Sequence, residues 1–377
     1  MFHEPIPPPL RRRRWPRYVV ALFVLLLLGA GWTWTWYYAA NKAQAAVAGW
    51  RAREAKAGRD YACGSQTTSG YPFRIEVSCD KASALLRSNR PPVEIEAGGI
   101  LVSAEVYAPT RLTSEIAGPV TIAKIGETPL IVANWQHGRS SVSGTPKVPR
   151  TFSLVFDRPV INLVNGTQQT NLLRARRIEV HGHIVSGSKA DAVIELAFRL
   201  DHFSAPGLYP AAAKPVDADI VVRLQGLGDF SPEPWRARLR GLQARGGHLD
   251  VTRARFSEGT TLAVGSGSLA IDRKGQLGGA LSVTVAGLAP FLAAIGAPQL
   301  VQQSRGMDKA AGFLNRLSPG LGDAARQQAG ANLDVGIDML GKPASLEGRK
   351  AVTLPLRFAD GAAYLGPIPL GNTPPLF

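Results

Sequence analysis

From Tyr18 to Tyr38 the chain carries no charged residue; Arg11, Arg12, Arg13, Arg14 and Arg17 precede this run, and Trp32, Trp34, Trp36, Tyr37 and Tyr38 close it. An apolar helix of about 20 residues crosses the ~30 Å hydrocarbon core of a bilayer. Arginines ahead of a span hold that end in the cytoplasm, and Trp and Tyr belong at the membrane interface. The segment is therefore read as an uncleaved signal anchor. This divides the chain into a basic cytoplasmic tail (1–17), a transmembrane helix (18–38), a helical stalk (39–60) and an exported domain (61–377). The rival is a cleaved secretory signal, because Ala43-Gln44-Ala45 has the small-x-small form of a cleavage site. That site lies far past the leucines at Leu25–Leu28, behind bulky aromatics where a short cleavage region belongs.

Both readings export the remainder, and the anchor reading leaves a single-pass membrane protein with its bulk on the far side. With 45% hydrophobic and 19% charged residues, the whole chain has the composition of a folded protein and not of a disordered one. The net charge of +15 would raise nucleic-acid binding in a cytosolic protein. No homeodomain-like helix, zinc finger or aromatic RNA-binding signature accompanies it, so no specific nucleic acid is expected. The excess suits anionic lipid headgroups or a plain basic surface.

The two cysteines, Cys63 and Cys79, both fall on the exported side. An oxidising compartment permits one disulfide between them. Two buried thiols are the alternative; a redox pair would want Cys-x-x-Cys spacing.

Beyond the stalk, where Ala43, Val47 and Trp50 recur at helical spacing, the period changes to two from Gly70 onward. Ile194, Leu196, Phe198 and Leu200 alternate with polar residues, as do Phe152-Leu154-Phe156, Ile220-Val222-Leu224 and Leu281-Val283-Val285. Alternation of this kind gives a strand one apolar and one polar face. Turn residues at Asn165-Gly166, Gly246-Gly247, Lys274-Gly275 and Asp360-Gly361 punctuate the runs. In contrast, Leu288, Phe291, Leu292 and Ile295, then Met307, Ala310, Ala311, Leu314 and Leu317, follow a helical period. The expected fold is α+β: a large, curved, mainly antiparallel sheet packed on a few amphipathic helices, two of them between residues 289 and 329.

Catalytic signatures are scarce. The chain has no Gly-x-Ser-x-Gly, no His-Glu-x-x-His and no Cys-x-x-Cys. Gly336 to Pro343 only approaches a phosphate loop, because Pro343 stands where a hydroxyl is needed. His181 and His183 share one face of a strand without a third ligand beyond Glu179, and are read as surface histidines; the Asp217/Asp219 and Asp334/Asp338 pairs are read as exposed carboxylates. No cofactor or metal is implied.

The segment Gly70-Tyr71-Pro72-Phe73-Arg74 with Cys79 after it, the anchor before it, the stretch Leu269 to Leu288, and the ending from Leu354 through Asp360-Gly361 to Gly371 resemble the bacterial envelope family named domain of unknown function 2125. The resemblance implies an anchored envelope protein and carries no activity with it. The expected function is non-enzymatic: handling a hydrophobic ligand such as a lipid at the inner membrane, with other envelope proteins as further partners. The alternatives are an assembly scaffold without ligand and an envelope hydrolase.

Overall fold

A computed structural model describes residues 15–144, 149–187, 192–208, 210–228, 234–287, 341–365 and 368–377. Its first element, α1 (Trp15–Lys56), is an unbroken helix of 42 residues. At 1.5 Å per residue it is about 63 Å long, twice what a bilayer core needs. Its apolar leucines, Leu22 and Leu25–Leu28, are exposed, whereas Trp36 and Ala40 further along are buried. Among the described residues α1 is the one helix long and apolar enough to cross a membrane.

After a turn at Gly58 come β1 (Arg59–Ser69), β2 (Arg74–Leu86), β3 (Val93–Glu105) and β4 (Ala108–Lys124), each antiparallel to the one before. The long β4 serves two neighbours. Its first part pairs with β6 (His137–Ser143) and its last part with β5 (Ile131–Asn134). Pro119, which has no N–H to give a ladder, stands at this division. A side branch continues from β5 through β8 (Val160–Asn165) to β9 (Gln168–Arg174).

The main ladder continues from β6 through β7 (Thr151–Asp157), β10 (Arg177–Ser186), β11 (Val193–Phe203) and β12 (Val216–Gln225). It then passes through β13 (His248–Glu258), β14 (Thr261–Ile271) and β15 (Leu277–Ala286) to β17 (Arg349–Ala359). The far side of β17 borders β16 (Lys342–Leu346) and β18 (Ala362–Leu365), and β19 (Ile368–Asn372) follows β18. The β17–β18 turn is Asp360-Gly361, with φ of 51° and 72°, the left-handed pair that a type I′ hairpin requires. A helix of 10 residues, α2 (Trp235–Ala244), lies between β12 and β13 and buries Leu242.

The expectation of a curved sheet packed on amphipathic helices is corrected here. Among the described residues the pairings do not return on themselves: β1 pairs only with β2 and β19 only with β18, so the sheet is open, neither curved round a helical layer nor closed. Among the described residues the α-helices are α1 and α2. Alternation along a strand reports which residues share a face but carries no information about closure, and the helical stripes had suggested a layer for the sheet to wrap. Those stripes, with Phe291, Leu292, Ile295, Leu314 and Leu317, lie outside the described residues.

Burial is concentrated in two small clusters. Val222, Val251 and Ala254 pack with Leu196, Phe198 and Ile220, and Leu262, Ala286 and Ala351 pack with Ala344 and Leu346. At the opposite end, Cys63 and Cys79 are bonded across β1 and β2 with their Cα atoms 5.4 Å apart. Closing a loop of this length restricts the unfolded chain by about 3 kcal/mol. Cys63→Ser and Cys79→Ser are each expected to lower stability by about that amount; identical thermal melts of variant and parent would show that the bond contributes nothing.

Candidate functional site

The pairing register sorts the sheet into two chemically different faces. From Val77 on β2, the successively opposed residues are Val102, Ser114, Ser140, Leu154, Val180, Phe198, Ile220, Ala254, Gly265, Val283 and Leu354. A parallel row on one side includes Ile75, Leu112, Val142, Phe152, Leu196, Val222, Leu281 and Leu356; one on the other includes Ile100, Ile116, Phe156, Ile178, Leu200, Phe256 and Val285. Strands spaced about 4.8 Å apart make this apolar face roughly 50 Å long from β2 to β17.

Much of the face is only half-buried, and Phe152 and Phe256 remain 37% and 40% exposed. Its irregular places are filled by rings. The Phe152 ring occupies the space where a Cβ on Gly182 would stand, so only glycine fits there. Trp135 and Phe156, with ring centres 4.6 Å apart, likewise close over Gly138.

The opposite face is charged. Glu115, Arg139, Val155, Glu179, Arg199, Asp219 and Arg255 oppose one another in that order. Arg177 reaches Asp157 at 2.9 Å and Glu179 at 2.5 Å, and Arg253 reaches Asp219 at 3.0 Å. Burial pushes the Glu179 carboxyl up, but hydrogen bonds from Arg177 and His181 hold it below its ordinary value. Arg176 grips Asp201 through two nitrogens, at 2.5 and 2.7 Å, and lowers its pKa to about 2. Exposed pairs of this kind contribute about 1 kcal/mol or less each; their effect is to keep this face in water. Three shallow hollows, of about 420 to 590 Å³, lie along it, one bordered by Arg74, Glu76, Glu115, Arg139 and Arg177.

The helix meets the sheet at the Gly70 to Arg74 segment. Gly70 has φ +100°, and a Cβ there would lie 2.8 Å from the Arg74 carbonyl. The tight turn that results presents its carbonyls to α1. Trp32 Nε1 donates to Pro72 O at 2.9 Å and Trp36 Nε1 to Arg74 O at 2.7 Å, while Thr33 Oγ1 and Tyr71 Oη share a 2.8 Å hydrogen bond. Trp36 meets Tyr71 edge to face at 5.5 Å, and Trp32 lies 6.2 Å from Phe73. Further up, Gln44 donates to Thr68, Trp50 stacks near Tyr61 at 4.7 Å, and Arg51 approaches the Cys63 sulfur. Thr68, which opposes Val77, and Cys63, which opposes Ala82, belong to the apolar face's side of the sheet. Helix α1 therefore covers the β1–β2 end of that face.

Several residues singled out in the sequence thus come together. Trp32, Trp36, Tyr71, Pro72, Phe73 and Arg74 form one junction, with Cys63 and Cys79 higher on the same hairpin. Trp34, Tyr37 and Tyr38 stay exposed, although the Tyr37 ring meets Trp36 edge to face at 5.2 Å. Arg11 to Arg14 lie outside the described residues, as do Asp334 and Asp338. His181 and His183 approach Glu179 at 3.3 Å and Glu195 at 3.8 Å as members of the charged face. A trio that sequence reading did not single out, Asp201, His202 and Asp217, has ligand atoms close enough to share an ion. Arg176 already engages both oxygens of Asp201, so the trio is accounted for as part of the ion-pair network. The apolar face itself was also missed: each strand's alternation was visible, but the alignment of the rows needs the register.

Residues 36–374, from the buried Trp36 to just past the last strand, match the family described as "Uncharacterized protein conserved in bacteria (DUF2125)". The chain belongs to this family. No curated protein and no solved structure matches it. The DUF2125 match takes in Trp36, the Gly70 to Arg74 turn, the Cys63–Cys79 hairpin and every described strand, and begins after Trp32 and Thr33.

Proposed function

We propose that this DUF2125 protein is anchored in the inner membrane by α1, holds its sheet on the periplasmic side, and uses the apolar sheet face to handle a hydrophobic ligand, a lipid. The observation that carries this reading is continuity. Three neighbouring apolar rows run from the anchor-covered hairpin to β17, while the reverse face carries a ladder of charges. An apolar surface of this extent is costly to leave against water and marks a binding surface. Retention of the anchor is supported by Trp36 and Ala40, which the sheet buries; cleavage at Ala43-Gln44-Ala45 would remove both. A non-enzymatic role is favoured because the clustered carboxylates, Glu179, Asp201 and Asp219, are held by arginines as ion pairs instead of being left available as acid and base.

The test compares lipid retained by the full-length protein with that retained by a Phe152→Asp, Phe256→Asp double variant. Both positions are partly exposed, so the fold should survive, but a carboxylate resists contact with acyl chains. Mass spectrometry of the detergent-extracted protein should show bound lipid reduced roughly tenfold, a loss of about 1.4 kcal/mol in binding. Ser153→Asp, on the opposite face of β7, should leave it unchanged. Parent protein that retains no more lipid than an unrelated single-span protein would refute the lipid reading and favour a scaffold.

A further inference from the structure

At and beside the junction three large aromatic residues stay more than half exposed despite the contacts Tyr71 and Phe73 make with α1: Tyr71, Phe73 and Tyr107 are 54%, 61% and 71% exposed. They come from two neighbouring turns. Tyr107 lies between β3 and β4, and Val106 in that turn donates its N–H to Phe73 O at 3.0 Å. From these positions we infer that the β1–β2 and β3–β4 turns form a membrane-seated platform, with Tyr71, Phe73 and Tyr107 in the periplasmic headgroup layer of the bilayer that α1 crosses. This rests on the reading of α1 as a transmembrane anchor.

The argument is one of depth. Trp32 stands only about 21 Å along α1 from Tyr18 at 1.5 Å per residue, and a ~30 Å core is not traversed until the helix nears Tyr38. Yet the turn is already bonded to the helix at Trp32, Thr33 and Trp36. It therefore lies alongside the last turns of the span, at the periplasmic face of the membrane and not above it. Backbone polar groups at that depth need partners within the protein, and the two indole N–H groups supply them to the Pro72 and Arg74 carbonyls. Aromatic rings with one polar edge favour the headgroup layer. The platform continues the helix's own exposed aromatics Trp34, Tyr37 and Tyr38, widening a single-helix attachment into one that restricts the sheet's tilt.

The test places the photoreactive residue p-benzoylphenylalanine singly at Phe73, Tyr107, Leu26 or Leu208 of the full chain. Leu26 reports the span, and Leu208, 65% exposed in the loop after β11, reports a sheet surface away from the turns. The protein is reconstituted into vesicles of phosphatidylethanolamine and phosphatidylglycerol, illuminated, and analysed for phospholipid adducts, with the disulfide monitored on non-reducing gels as a check of folding. Adducts at 26, 73 and 107 but not at 208 are expected. Adducts at 26 alone would overturn the platform while leaving the anchor intact. Their absence at 26 would remove the span and the platform with it. Equal labelling at 208 would also overturn the inference, since lipid contact would not be confined to the turns.

Discussion

Replacing Trp36 by Ala should release α1 from the sheet. The indole is 6% exposed, donates to the Arg74 carbonyl at 2.7 Å and packs edge to face on Tyr71. Truncating a buried Trp typically costs about 3 to 5 kcal/mol, and here it also leaves a carbonyl without its donor. Trp36→Phe keeps most of the ring packing and loses only the donor, so its cost should be smaller, about 1 to 3 kcal/mol. Hydrogen exchange of the reconstituted protein would read the difference directly. Amides from Ser69 to Val77 should exchange faster in Trp36→Ala than in Trp36→Phe, while those of β11 and β12 stay protected. Unchanged protection at the turn would mean that the Gly70 to Arg74 segment holds its shape without the helix.

The second large effect is expected at the other end of the sheet. Leu354 on β17 is 1% exposed and opposes Val283 in the central apolar row. Gly341 approaches it closely enough that a Cβ there would lie 3.1 Å from a Leu354 methyl. β17 is also where β15, β16 and β18 all pair, so a cavity on this strand weakens several ladders at once. Leu354→Ala should cost about 2 to 5 kcal/mol. Leu356→Ala, two residues along on the same face but only half-buried, should cost less. Equal melting temperatures for the two variants would show that this part of the face is not sealed as its burial implies.

The difference between these two sites follows from how an open sheet is stabilised. Few side chains are fully buried, because long stretches of both faces remain near solvent. Stability then depends on cross-strand neighbours and on a few sealed places. Trp36 between α1 and the Gly70 to Arg74 turn and Leu354 near the β16–β17 hairpin are two such places.

Much of this was present in the order of residues. The uncharged run after a group of arginines marks one long helix, and among the described residues it is the one long and apolar enough to cross a membrane. The alternation in Phe152-Leu154-Phe156 and Ile194-Leu196-Phe198 marks strands because successive side chains must point to opposite faces. Asp360-Gly361 marks a hairpin because the turn needs two residues that tolerate positive φ. Each of these is a local rule, satisfied within a few neighbours. The tertiary structure alone decided that the ladder stays open, that Trp32 and Trp36 serve as hydrogen-bond donors to a turn about 40 residues away, and that apolar residues from β2 to β17 align into continuous rows. Those outcomes depend on strand order and register, which are set by bulges, by the division of β4 at Pro119, and by contacts between residues far apart in the chain. Periodicity assigns a residue to a face of its own strand; only pairing determines which distant residues share that face.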